Sequence, residues 1–177
     1  MRDFTELLTR RESCRSYSDR PIEMEKLHVC LEAARLAPSA CNSQPYAFTI
    51  VQSPDKVAAV AKCAQGGGMN KFAASCPCFA VINEEVPGLT ARFGARMKKQ
   101  DYTSIDIGIA AIQFCLAATE QGLSTCILGW FDEEPLKEIL GIAKEKRVRL
   151  ILCIGYAGTD AIRAKSRKTI EEIARFV

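Results

Sequence analysis

The chain has 177 residues, 48% of them hydrophobic, and its 24 Lys and Arg against 21 Asp and Glu leave a formal net charge of +3. That size and apolar content allow one substantial core and favour a single domain, residues 1–177, over two. The mild charge does not indicate nucleic acid, and the sequence shows neither a secretory apolar stretch nor a run of roughly 18 apolar residues, so the expectation is a cytoplasmic protein with no membrane or nucleic-acid partner.

Taken in chain order, Asp3 caps a short helix carrying Phe4, Leu7 and Leu8, with Glu6 completing a capping-box pattern. The three-and-four spacing of Leu27, Cys30, Leu31 and Ala34 predicts a helix from about Glu23 to Leu36, stopped by Pro38. Ala47 to Val51 reads as a strand, and Ser53-Pro54 opens a helix through about Cys63. Gln65 to Asn70, QGGGMN, is expected to be a flexible connection, followed by a short buried strand, Cys78 to Ile82. The next segment mixes Gly, Pro and charge and predicts a mobile surface helix and loop. Ser104 to Gly122 is apolar nearly all round and predicts a buried central helix. TCILG is a strand, EEPLKEILG a helix ending at Gly141, and VRLILCIGYAG a strand buried on both faces. Thr169 and Glu172 form a capping box for a terminal helix expected to run to Val177.

Nine cysteines without a secretory signal read as reduced thiols, and Cys30, Cys115 and Cys153 lie in apolar runs as small buried hydrophobes. Cys76 and Cys78 form C-P-C rather than C-x-x-C. With His28 the only histidine, no metal site is expected.

Four stretches carry candidate chemistry. In RRESCRSY, Arg11, Ser13 and Arg15 alternate, so an extended backbone points two guanidinium forks and a hydroxyl to one side, an array suited to phosphate; arginines on a solvated helix end are the other reading. In APSACNSQPY, two prolines bracket small and amide residues, giving either a rigid loop that presents polar groups to a planar heterocycle or a plain connection. GLSTCILGWF ends a strand in Gly129-Trp130-Phe131, a usual place for a ligand, or else simply buries a tryptophan. In AKSRKTIEE, Lys165 and Arg167 alternate before a helix start, again an anion site or merely basic residues near the chain end.

The four together, in this order, resemble the FMN-dependent nitroreductase family over nearly the whole chain. The most specific parts are R-x-S-x-R at Arg11 to Arg15 and P-S-x-x-N-x-Q-P at Pro38 to Pro45. The resemblance implies an α+β fold: a central, mostly antiparallel mixed sheet flanked by helices, with a buried central helix at a dimer interface. It implies FMN as cofactor and NADH or NADPH as electron donor, with hydride passing through flavin to a nitroaromatic, quinone or similar flat acceptor. Arg11, Ser13, Lys165 and Arg167 then resemble phosphate contacts, and Arg15 reaches the phosphate, ribityl chain or ring edge. Pro38, Ser39 and Asn42 would complete the pocket of the partner subunit in a homodimer. Asn70 would contact the pyrimidine side, and Leu128, Gly129 and Trp130 the other face and edge, with the Gly129 amide a donor to flavin N5. No catalytic acid is implied for the chain, because the flavin carries the hydride.

Departures from the family pattern are Tyr46 after Q-P, where a larger aromatic is common, and Gly129, where some members carry an acidic residue. The chain stops at Val177 without the longer tail of some relatives, so the resemblance puts dimerisation on the Ser104 to Gly122 helix. By the resemblance, Arg92 to Lys99 would fall where relatives vary most, in the region that covers the substrate. Two other functions remain open on the sequence: a flavin-binding redox sensor or carrier without efficient turnover, and a thiol enzyme using Cys14, where neighbouring Arg15 would lower a thiol pKa, or Cys41.

Overall fold

The computed structural model describes residues 3–159 and 161–177. Eleven elements follow one another: α1 (Phe4–Arg10), α2 (Met24–Arg35), β1 (Tyr46–Val51), α3 (Pro54–Ala64), β2 (Cys78–Glu84), α4 (Leu89–Lys98), α5 (Tyr102–Glu120), β3 (Ser124–Leu128), α6 (Glu133–Leu140), β4 (Val148–Gly155) and α7 (Ile170–Ile173). The strands form one sheet in the order β1-β2-β4-β3, and every neighbouring pair is antiparallel. The parallel component anticipated for the sheet is confined to one bridge, Ser13 beside Thr125 of β3. A second bridge pairs Tyr17 with Ala157 antiparallel.

Period-two alternation along the buried strands sends side chains to both faces. Phe79, Val81, Ile151 and Cys153 enter one apolar cluster with Val60 and Ala64 of α3 and Leu136 of α6. Cys78, Ala80, Ile82, Leu152 and Ile154 enter the other, with Leu27 and Cys30 of α2 and Ile107, Ala110 and Phe114 of α5. The continuous apolar run of β4 is thus a strand covered by helices on both sides.

By length and composition alone α5, 19 residues, would pass for a membrane span, although the sequence predicts a buried central helix here. Its neighbours explain the composition instead: Ala110, Phe114, Cys115 and Ala118 are fully enclosed and pack against α2 and the sheet.

Three expectations are corrected. The QGGGMN stretch is a tight turn, Gly66–Gly68, leading into a second at Lys71–Ser75, rather than a flexible connection: Trp130 Nε1 donates to Gly66 O at 2.8 Å, and Asn70 Nδ2 donates to Ala64 O and Trp130 O, each at 3.1 Å. The terminal helix has the expected reciprocal Thr169–Glu172 capping box but ends at Ile173, with exposed residues 174–177 beyond it. Asp3 does cap α1, yet its carboxylate accepts from Thr5 N, and Glu6 makes no reciprocal box.

Candidate functional site

Residues 11–17 are extended because they dock alongside β3. Cys14 N donates to Thr125 O at 2.9 Å, and Cys14 and Tyr17 turn into the core. Alternation then leaves Arg11, Ser13 and Arg15 on the outer side. Because the Ser13–Thr125 pairing is parallel, the stretch carries Arg15 toward the Gly129 end of β3.

The far end of the chain closes the other wall. Gly158 N donates to Ser16 O at 2.8 Å, and residues 163–167 lie across the N-terminal stretch. The result is a cavity of about 320 Å³ lined by Arg11, Ser13 and Arg15 on one side and Arg163, Lys165 and Arg167 on the other. Five cations face one acid, Glu12, so the cavity has the charge and the fork-shaped donors that an oxyanion of charge near minus two requires.

Glu12, between the alternating Arg11 and Ser13, also lines this cavity and is paired with Arg163. Its Oε2 accepts from Arg163 N at 3.2 Å and pairs with Arg163 Nε at 3.5 Å, while Arg163 Nη2 donates to Ser13 O. Arg163 is a site residue the sequence reading overlooked. Its signal was available, since Arg163, Lys165 and Arg167 continue one alternation. Lys165 braces the wall by donating to Thr9 O, and Arg10 lies outside the cavity, paired with Glu6 at 3.7 Å.

The cavity leads toward a second group of predicted residues. The Arg15 guanidinium lies 5.9 Å from the ring centroid of Phe72, in the turn Lys71–Ser75 that Asn70 opens in the left-handed conformation, φ 47°. Asn70 in turn holds the Trp130 carbonyl, so the end of β3 is fixed beside this turn. Trp130 is 64% exposed, and a Cβ added at Gly129 would meet no atom within 4 Å, so the strand end opens outward. Leu128 is buried in the core and offers the surface only its backbone.

Pro38, Ser39 and Asn42 are not brought together with these residues. Their loop leads into β1, at one edge of the sheet, whereas Ser13 pairs with β3 at the other. The loop is nonetheless ordered by its own bonds: Gln44 N donates to Ser39 Oγ at 3.0 Å, and Gly88 N to Ser43 Oγ at 2.7 Å.

All nine cysteines are free, and only Cys41 is exposed. Burial pushes the Cys14 thiol up despite the adjacent arginine, and pushes Cys30 and Cys78 up to about 12. Cys115 is raised to about 11 by burial against the lowering effect of Arg11. Cys14 therefore lacks both the access and the depressed pKa that a thiol nucleophile needs.

Helices on both faces of one antiparallel sheet, with a cationic cavity beside β3, define an α+β protein whose surface can receive an oxyanion. The family model for the Nitroreductase family matches residues 8–68 and 58–156, and the chain belongs to that family of oxidoreductases. It is 29% identical over 206 residues to the Bacillus subtilis protein named "Putative NAD(P)H nitroreductase YdgI", covering 98% of this chain and 97% of that one. It is 24% identical to iodotyrosine deiodinase 1 of Pongo abelii, covering 97% of this chain and 68% of that one. Among solved structures it is similar to a nitroreductase family protein from Streptococcus pneumoniae TIGR4, at 25% identity and TM-score 0.84 over 99% of this chain and 100% of that one. An FMN-dependent nitroreductase from Clostridium difficile R20291 matches at 26% identity and TM-score 0.78, over 98% of each chain.

Proposed function

We propose that this protein is a homodimeric FMN-dependent oxidoreductase that takes reducing equivalents from NADH or NADPH and delivers them to a nitroaromatic, quinone or similar flat acceptor. The observation that carries this reading is the convergence of Arg11, Ser13 and Arg15 with Lys165 and Arg167 on one cavity from opposite ends of the chain. A phosphate monoester needs charge-assisted donors from several directions, and these residues supply them. Glu12 does not oppose the ligand's charge, because Arg163 already neutralises it.

The residues present fit FMN. From Thr125 to Gly129, just past the end of β3, is four residue steps, about 13 Å, which separates the cationic end from the open end as a phosphate and a fused ring are separated along a ribityl chain. Arg15 serves the middle of that span. Asn70 spends its nitrogen on two carbonyls, so it would meet the ring through Oδ1 as an acceptor. The Gly129 amide and the Trp130 indole supply a donor and an apolar wall, and Leu128 contributes backbone alone. Pro38, Ser39 and Asn42, placed at the opposite sheet edge, would close the site of the partner subunit.

When bound, FMN supplies hydride and electron transfer at its ring, so the chain need not provide an acid-base pair. The role of its residues is to hold the phosphate, orient the ring at the β3 end and place positive charge nearby.

The test is the visible spectrum of the purified protein. Flavin absorption is expected, retained with FMN and weak with riboflavin. It should bleach on anaerobic addition of NADH or NADPH and recover through many cycles with a quinone or nitroaromatic. A colourless protein that does not take up added FMN overturns the proposal. Bleaching without repeated turnover would replace the enzyme by a redox sensor or carrier.

A further inference from the structure

Asp106 interrupts the apolar run of α5 and is only 3% exposed. A buried carboxylate loses its hydration and is retained where hydrogen bonds or an ion pair replace it. Here no ion pair reaches it among the described residues. Both oxygens instead accept from a single donor, the backbone N–H of Ala40, each at 3.1 Å.

Ala40 opens the tight turn Ala40–Asn42, and the loop around it is strained. Cys41 and Asn42 have φ 51° and Gln44 has φ 46°, so three non-glycine residues occupy the left-handed region. Such conformations persist only where surrounding contacts over-determine them, and they gather at binding sites. Inside the loop Gln44 Nε2 donates to Asn42 O at 3.1 Å and to Asn42 Oδ1 at 3.2 Å, but the tie to the body at its N-terminal side is the Asp106 carboxylate.

We propose that Asp106 is a positioning residue: through the Ala40 amide it holds Pro38, Ser39 and Asn42 in the conformation that receives the flavin. The charge strengthens the bond to the amide, and α5, enclosed by α2 and the sheet, gives that bond a rigid base. This rests on the reading of the loop as part of a flavin site, and the test separates the two.

Cys41 lies within the turn and is the exposed thiol, so its rate of modification by a thiol reagent in the intact protein reports the loop directly. That rate and FMN affinity, from quenching of flavin fluorescence, are measured for the native chain and for Asp106→Ala, Asp106→Glu and Asp106→Asn. Asp106→Ala is expected to raise the labelling rate about tenfold and weaken FMN about tenfold, as loss of a charge-assisted hydrogen bond implies. Asp106→Glu keeps the charge but moves it by one methylene, and should behave like Asp106→Ala. Asp106→Asn keeps an acceptor oxygen and should stay within about threefold of the native chain on both readouts. If Asp106→Ala does not fold, the Glu and Asn variants decide. Unchanged labelling in Asp106→Ala or Asp106→Glu overturns the proposal, and so does faster labelling with unaltered FMN affinity. A native chain that fails to bind FMN overturns the flavin reading instead, and with it the positioning role, while the labelling rates still establish whether Asp106 anchors the loop.

Discussion

At the scale of single residues, neighbouring groups of one type have separate roles. Arg11 lines the cationic cavity, while Arg10 is outside it and pairs with Glu6 on the surface of α1. Arg11→Ala is therefore expected to weaken FMN binding about tenfold or more, as removal of a charge-assisted donor to a phosphate does, and Arg10→Ala to leave it within about twofold. A flavin titration of the two variants checks this, and equal losses would remove the alternation from the argument. A second residue-level effect lies at the start of α2. Tyr156 O–H donates to Glu23 Oε2 at 2.5 Å, Arg20 Nη2 donates to Glu23 Oε1 at 3.0 Å, and the Arg20 guanidinium lies 3.9 Å from the Tyr156 ring centroid. The hydrogen bond from Tyr156, followed by the backbone and the nearby cations, lowers the Glu23 carboxyl to about 2. A depressed carboxyl stabilises the fold above its ordinary unfolded value, and the contribution disappears as pH falls through that value toward about 2. Glu23→Gln should therefore melt below the native chain at neutral pH, and the gap should close on acidification toward about pH 2.

At the scale of elements, what the sequence made legible were the features with a strong period or a cap. Leu27, Cys30 and Ala34 located α2, continuous apolar runs located β2 and β4, and Gly141, at φ 67°, ended α6 where expected. Less legible was order that depends on distant partners. QGGGMN has the composition of a flexible link, yet Trp130, 64 residues beyond Gly66, closes it. A different contact restricts Gly66: a Cβ there would come within 2.7 Å of Asp132 Cγ, at the N-cap position of α6, whose N donates to Cys63 O at 2.9 Å. Gly66→Ala must displace that carboxylate, and a loss of about 1–3 kcal/mol is expected, as for other overpacked sites. Thermal melting measures it. Gly68→Ala, whose added Cβ meets nothing within 4 Å but keeps a φ of 78°, separates backbone strain from collision.

At the scale of the whole molecule, the sheet order decides how the candidate site is assembled. R-x-S-x-R and K-S-R were legible as anion-binding pieces because alternation is local, and the chain brings them together across β3. Their relation to the Pro38–Pro45 loop could not be read locally, since it depends on β1 and β3 being opposite edges of one sheet. Asp106 escaped notice for a similar reason: one acid in an apolar helix gains meaning only from its hydrogen-bond partner, Ala40, 66 residues away. If each flavin site takes its cationic wall from one subunit and its loop from another, two defective chains can complement each other. Consider Arg11→Ala, which damages the wall, and Ser39→Pro with Asn42→Pro, which damages the loop. In a heterodimer of the two, one site combines both defects and the other combines the intact wall of the loop variant with the intact loop of the wall variant. Purified heterodimers, selected by different affinity tags, should then bind FMN with native affinity at about half of their sites, although neither homodimer does. A site contained within one chain would give no such recovery, and in that case the separation of the two motifs across the sheet would have to reflect two unrelated functions.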